Sequence, residues 1–384
     1  MCIAPAVHHE YRRTELSGNE LLITLVGTPG ICILAQPRMN GWNVARALAV
    51  ARMKSPELRP YVKAVLESSV MRNIILSMLN TTVQPTLNLK EIKILPVPMP
   101  RQAGVALALG DVAELFNQRI GLLQQTNTTL EAIAKTLFKS WFVDFDPVHA
   151  KAEGREPEAM DAATAALFPS EFEESEFGLI PKGWHAGRVG EVSHLNATSW
   201  SSKRHPDTVS YVDLSGVHEN RIGAVNELPF SEAPSRARRS LQDGDTIVGT
   251  VRPGNRAFAY IHRPATNLTG STGFAVLSPK DGAWAPFVYL AATRNDSIER
   301  LANLADGGAY PAVRPDVVSA TPATIPPSEI NAAFSVITSP ILCKIGENRD
   351  AEAALVELRD TLLPRLISGK LRLPDAEREI EAVV

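Results

Sequence analysis

The sequence predicts an α+β chain in which two pseudo-symmetric β-rich modules are separated by long antiparallel helices. Three observations carry that class. A repeat runs through the 384 residues with a period of about 226. Short β-branched runs divided by Gly, Pro and Asn open each copy, and a long amphipathic stripe closes it.

The repeat is read in register. Leu16–Gly27 lines up with Leu241–Arg252 at an offset of 225, and paired arginines precede each block, Arg12-Arg13 and Arg238-Arg239. One residue further out of step, Pro60-Tyr61-Val62 matches Pro286-Phe287-Val288. Asn80–Ile92 then faces Asp306–Val318, which puts Pro85 on Pro311, and Pro96 and Pro100 meet Pro322 and Pro326. Glu131 meets Glu357, and Leu137 meets Leu363. Any one match is chance-level in an Ala/Leu-rich chain, but a register held across strand, turn, proline and helix blocks indicates duplication.

Taken in chain order, Ile23–Val26, Gly30–Leu34, Val209–Leu214, Thr246–Val251, Ala257–Ile261 and Gly273–Leu277 read as strands. One helix follows in each copy, Pro60–Leu79 and Pro286–Ala305. The first closing helix is expected over Gly110–Phe142, capped by Asp111, and the second over Arg349–Ile367, kinked at Pro364. Leu130, Ile133, Leu137 and Trp141 on the first, with Glu131, Phe138 and Phe142 beside them, are expected to pack on Leu355, Leu358, Leu362 and Leu366 of the second. Residues 144–181 turn acidic and Ala-rich and read as a connector with a short Met160–Leu167 helix. The second copy opens near Trp184, so its partner would open about 42 residues before Met1. The first module is therefore expected to be incomplete, with an unpaired edge on the sheet holding Ile23–Val26 and less stability than the second.

Composition removes several classes. A formal charge of -3 and a pI near 6.3 exclude gripping nucleic acid by bulk charge. That mild balance hides segregation, since residues 1–100 carry 11 Lys/Arg against 6 Asp/Glu while residues 101–175 carry 6 against 12. Cys2, Cys32 and Cys343 stand too far apart in sequence for a CxxC pair or a disulfide framework. No apolar run reaches the roughly 18–20 residues that span a bilayer, and the start lacks a signal-peptide pattern. A soluble, cytoplasmic chain is expected. HExxH, EF-hand, phosphate-loop, GxSxG and Asn/Asp-Pro-Pro-aromatic patterns are all missing, so the chain is read as non-catalytic and without a metal site.

What remains is arginine set in turns. A lone exposed arginine is by default a solvated charge. As a group, the second module's Lys203, Arg204, Arg236, Arg238, Arg239, Arg252, Asn255, Arg256 and Arg263 are candidates for DNA contact. The first module's sparser set is Arg12, Arg13, Arg38 and Arg46. Arginine forks meet guanine edges and phosphates, and Asn255 and Asn267 have the groups to read adenine. Arg236, Arg238, Arg239, Arg252 and Arg256 flank the strand at 244–251, where two turns are expected to offer them to one groove.

The chain resembles the DNA-specificity subunit of type I restriction–modification systems. The resemblance is carried by Asn127–Pro147, then Leu167-Phe168-Pro169, Gly178–Trp184, Gly307–Pro315 and Leu358–Leu371. These look like the family's central conserved helix, the entry to its second target-recognition domain, a Gly-Gly…Tyr-Pro loop late in that domain, and the distal conserved helix. The resemblance implies a first target-recognition domain at 1–100, a central conserved spacer at 101–146, a connector at 147–183, a second recognition domain at 184–346, and a distal helix and tail at 347–384. It implies a non-catalytic subunit that reads split double-stranded DNA and directs adenine methylation and restriction. Methylation subunits would dock on the helices and bind S-adenosylmethionine themselves, and a translocase–nuclease subunit would join for restriction. The alternative is a truncated or degenerate specificity subunit that acts as a half-site reader or a protein–protein scaffold.

Overall fold

The structure is a computed structural model that describes residues 4–79, 85–223, 225–372, 375, 376 and 378. Cys2 and Asn80–Gln84 of the repeat lie outside the described residues. The chain divides into two compact units, one of residues 1–125 with 349–384 and one of residues 126–348. It is a mixed α+β fold, as the sequence reading has it.

In the first unit, strand Leu21–Thr24 is the middle of an antiparallel sheet, flanked by Cys32–Leu34 and Leu48–Ala51. Alternation sends Leu21 and Ile23 into the main core and Leu22 to a smaller cluster with Leu16 and Ala35. Leu21–Thr24 is itself covered on both sides, and among the described residues the sheet ends on Cys32–Leu34 and on Leu48–Ala51, whose counterpart Phe274–Pro279 in the second unit carries a further strand. The outer strand Cys32–Leu34 leaves Ile33 44% exposed.

The second unit carries the same three strands in the same order. Thr246–Gly249 lies between Phe258–Tyr260 and Phe274–Pro279, and Ser193–Leu195 is added outside. The offsets at the first residues are 225 (21 to 246), 226 (32 to 258) and 226 (48 to 274). A second sheet runs Asn226–Pro229, Thr208–Val212, Leu268–Ser271, Ala237–Ser240, with one parallel pairing in its middle. Its trace in the first unit is one bridge, Glu15 to Asn43, matching the Ser240–Thr269 pair.

The single helix expected in each copy is two helices in both. Arg59–Glu67 gives way to Ser69–Ser77 at Ser68, whose backbone is extended and whose hydroxyl accepts from Met71 N. Ala285–Thr293 gives way to Asn295–Leu304 at Arg294, equally extended and 226 residues on. A short helix, Leu89–Lys93, recurs as Pro315–Ser319. Each repeat ends in a 40-residue helix, Ala103–Phe142 and Ser328–Ile367, both longer than expected. Asp111 lies inside the first of these rather than capping it, and the second runs on through Pro364.

The expected packing of the two helical stripes on each other is corrected. Leu130 and Leu137 pack on the second unit's core, which holds Phe138, Trp141, Phe142, Phe334, Leu342 and Ile345. Leu355, Leu358, Leu362 and Leu366 pack instead with Leu109, Val112 and Phe116 in the first unit. The reason is antiparallel register. Asn117 accepts from Arg359 at 3.1 Å in one unit, and Asn127 donates to the Ile345 carbonyl at 3.2 Å in the other. Within each unit, advancing along one helix segment means retreating along its neighbour, so Leu355–Leu366 meet Leu109–Phe116, and Leu130–Trp141 meet Phe334–Ile345. Ile133 is 48% exposed and packs on neither core.

An aromatic cluster fixes the second unit. Phe142 meets Phe334 edge-on at 4.8 Å, Trp141 meets Phe168 at 5.0 Å, and Trp184 sits 5.8 Å from Phe142. Val148 and Phe168, from the stretch read as a connector, are buried in this core.

Candidate nucleic-acid interface

The loop Arg252–Arg256 leaves strand Thr246–Gly249 and turns back into Phe258–Tyr260. Its backbone is held from outside, since Arg252 N donates to the Pro311 carbonyl at 2.7 Å and Val313 N to the Thr250 carbonyl at 2.9 Å. A bridge between Val251 and Ala312 completes the link to the segment Asp306–Ala312. Within the loop, Asn255 N donates to Arg252 O and Arg256 N to Pro253 O, which makes a tight 3₁₀ turn. Arg252 (φ 47°) and Arg256 (φ 59°) both sit in the left-handed region, which costs an ordinary side chain about 1–2 kcal/mol.

The side chains then diverge. Arg252 donates to the Ala309 carbonyl at 2.7 Å and lies 4.6 Å over the ring of Tyr310, itself 71% exposed. Arg256 pairs with Glu219 and donates to Asn295 at 2.7 Å. Asn255 is exposed at the loop's tip.

Arg236 stands at the neighbouring turn. Its carbonyl accepts from Thr272 N, while Gly273 O accepts from both Thr250 N and its hydroxyl at 2.8 Å. One short turn thus links Arg236 with the root of the Arg252 loop. The Arg236 guanidinium donates to the Tyr211 hydroxyl at 3.0 Å and pairs with Asp213 at 3.3 Å, and these contacts, the hydroxyl first, raise its pKa further.

The other two arginines of the predicted group turn elsewhere, because they lie on the strand Ala237–Ser240 of the second sheet. Arg238 sits 4.8 Å over Phe230, on which His205 also stacks at 3.8 Å. Arg239 is half-buried, and burial lowers its pKa. One arm donates to Ser199 at 3.1 Å, and its Nε is buried without a partner among the described residues. Arg204 and Arg263 line a separate cleft of about 640 Å³ with Trp200, Gln242 and Asp243. Lys203 is exposed on the adjoining turn. Asn267 is engaged with Ser210 and Thr208 inside the sheet.

In the first unit, Arg12, Arg13, Arg38 and Arg46 are all exposed. Sequence reasoning passed over Arg52, which pairs with buried Glu20 at 3.7 Å and donates to the Glu15 carbonyl at 2.7 Å. It also missed the partners Tyr211, Glu219 and Asn295, which lie tens of residues from the arginines they hold. The apolar helix candidates other than exposed Ile133 are placed by packing, and Glu131 accepts from the buried Tyr289 hydroxyl at 2.8 Å. Among the described residues no three His, Cys, Asp or Glu gather to hold a metal ion, and no helix is long and apolar enough to cross a membrane.

No family model matches the chain. The chain is 25% identical over 306 residues to the Type I restriction enzyme HindI specificity subunit of Haemophilus influenzae, covering 68% of this chain and 66% of that protein. It is 23% identical over 296 residues to the Type I restriction enzyme MjaIX specificity subunit of Methanocaldococcus jannaschii, covering 75% and 62%. The matched region thus spans slightly under two thirds of these curated relatives' own lengths. Among solved structures, the type-I restriction-modification S subunit from M. genitalium shares its fold at a TM-score of 0.55 and 15% identity, covering 91% of this chain and 82% of that one. In sequence the chain is similar to specificity subunits of type I restriction enzymes, and it shares the fold of a type-I restriction-modification S subunit.

Proposed function

We propose that the chain is the sequence-specific DNA-binding specificity subunit of a type I restriction–modification complex, and that it steers adenine methylation and restriction without catalysing either. The observation that carries this reading is the exposed Arg252 with Tyr310, on a loop whose backbone is pinned at both ends. Double-stranded DNA is the ligand, contacted through Arg236, Arg252 and the outlying Arg204, Lys203 and Arg263. The likeness to named specificity subunits supports the reading. Methylation subunits would dock on the long helices and hold S-adenosylmethionine, and restriction subunits would join that complex.

Gel-shift measurement on the chain assembled with its methylation subunits tests this. A preferred duplex should resist nonspecific competitor, and log affinity should fall linearly with log salt. Loss of all sequence preference under competitor would overturn the reading.

A further inference from the structure

The loop Arg252–Arg256 has a counterpart in the first unit. Strand Leu21–Thr24 runs into Gly27-Thr28-Pro29-Gly30 and returns as Cys32–Leu34, as Thr246–Gly249 runs through Arg252–Arg256 into Phe258–Tyr260. Each loop is pinned by one bridge at the same repeat position, Val26 to Thr86 and Val251 to Ala312. Both ends of both loops are left-handed, with Gly27 at φ 83° and Gly30 at φ 93° against Arg252 at φ 47° and Arg256 at φ 59°. Glycine takes that conformation freely and arginine does not, and a residue before proline is ordinarily extended. The molecule therefore contains the relaxed version of this turn in one unit and the strained version in the other. Strain held in place by surrounding bonds points to side chains kept for their use.

The two arginines are not equally free. Arg256 is spent on Glu219 and Asn295, contacts that brace the loop. Arg252 has no carboxylate partner among the described residues. The Ala309 carbonyl and the Tyr310 ring fix the plane of its guanidinium, and the remaining N–H edge is left to solvent.

We propose that Arg252 is the residue through which the second unit reads a guanine, with Tyr310 and Arg256 as positioning residues. The proposal rests on the DNA-binding reading above. Guanine offers O6 and N7 side by side, which a guanidinium meets edge-on with two parallel donors. A guanidinium whose plane is already held loses less freedom on forming that pair. A phosphate accepts from many directions and gains little from such holding. In the first unit, glycine supplies no side chain at either position, so any reading there falls to other residues.

The test is selection from a duplex library with a randomised centre, using the full chain assembled with its methylation subunits and the variants Arg252→Gly, Arg252→Lys, Tyr310→Leu and Tyr310→Phe. Wild type should enrich a motif containing a G·C pair. In Arg252→Gly that one position should become degenerate while the others persist and the melting temperature holds within about 2 °C, since glycine suits the turn. Arg252→Lys, which keeps the charge but not the fork, should lose the same position and covers the case of a misfolded glycine variant. Tyr310→Leu should blur that position, and Tyr310→Phe should keep it. An unchanged motif in both Arg252 variants would overturn the proposal. So would uniform weakening on every duplex with a salt slope lower by about one, which marks a phosphate contact. If wild type enriches nothing, the DNA-binding reading itself fails and takes this proposal with it.

Discussion

Glu20 and Asp245 occupy the same turn of the two repeats, 225 residues apart, and titrate in opposite directions. Both carboxylates accept from the backbone three residues earlier, Ser17 N at 2.8 Å and Gln242 N at 2.8 Å. Burial pushes the Glu20 pKa up, but it is outweighed by the Ser17 amide, the Ser17 hydroxyl and the Asn19 amide, and the group sits below its ordinary value. Asp245 has fewer donors. Burial raises it to about 6, against a partial offset from the Ser278 hydroxyl and the Gln242 amide, and Asp243 adds repulsion. For Glu20 the folded pKa lies below the unfolded one, so its stabilisation is present at neutral pH and is lost as pH falls. For Asp245 the folded pKa lies above 3.8, so stability is full below that value and is lost as pH rises through about 6. Ionised Asp245 should cost about 3 kcal/mol. Asp245→Asn is therefore expected to gain stability at pH 8 and to flatten the decline between pH 4 and 7. Urea unfolding followed by tryptophan fluorescence reports mainly on this unit, which holds Trp141, Trp184, Trp200 and Trp284. An unchanged pH slope in the variant would show that Asp245 stays charged when folded.

Among the elements, the long helices show what an apolar stripe predicts and what it leaves open. The spacing of Leu130, Leu137 and Trp141 correctly marks a buried face, but a stripe carries no register, and the register came from polar ties such as Asn127 to Ile345 and Asn117 to Arg359. A stripe also carries no neighbours, so Ile133 falls on the solvent side although its spacing fits. One close approach is set by glycine. The ring of His262 lies on Gly346, where a Cβ would stand 2.1 Å from Cδ2. Alanine in a helix is ordinarily worth about 1 kcal/mol over glycine. Gly346→Ala should nevertheless destabilise the second unit, because the ring and the methyl cannot share the space. Adding His262→Ala should recover part of that loss, seen as a coupling of at least about 0.5 kcal/mol in a double-mutant cycle by urea unfolding. Additive effects would mean that the ring swings aside freely.

For the molecule as a whole, the repeat was the most legible feature, because duplication leaves a register that survives divergence of individual side chains. It located the three core strands of the second unit, two of the three in the first (Leu48–Ala51 was missed), the helical stretch that follows in each, and the C-terminal ends of the closing helices. It did not show the breaks at Ser68 and Arg294, where an extended residue interrupts an otherwise apolar run, nor the early starts at Ala103 and Ser328. The candidate interface was less legible. The arginines could be named, but their roles depend on Tyr211, Asp213, Glu219, Asn295 and Tyr310, which only the fold brings near. The same repeat poses a reciprocal experiment. Gly27 and Gly30 occupy left-handed positions in the first unit with nothing within 4 Å of a Cβ at Gly27, so crowding there is not the obstacle. Backbone conformation is. Gly27→Arg should cost the first unit about 1–2 kcal/mol, since its turn lacks the braces of Glu219 and Asn295. Arg252→Gly in the second unit should cost little, because relief of strain offsets the lost contacts with Ala309 and Tyr310. Hydrogen exchange read separately on peptides from each unit measures both variants against wild type. Equal losses in the two units would mean that the braces, and not the left-handed backbone, set the energy of this turn.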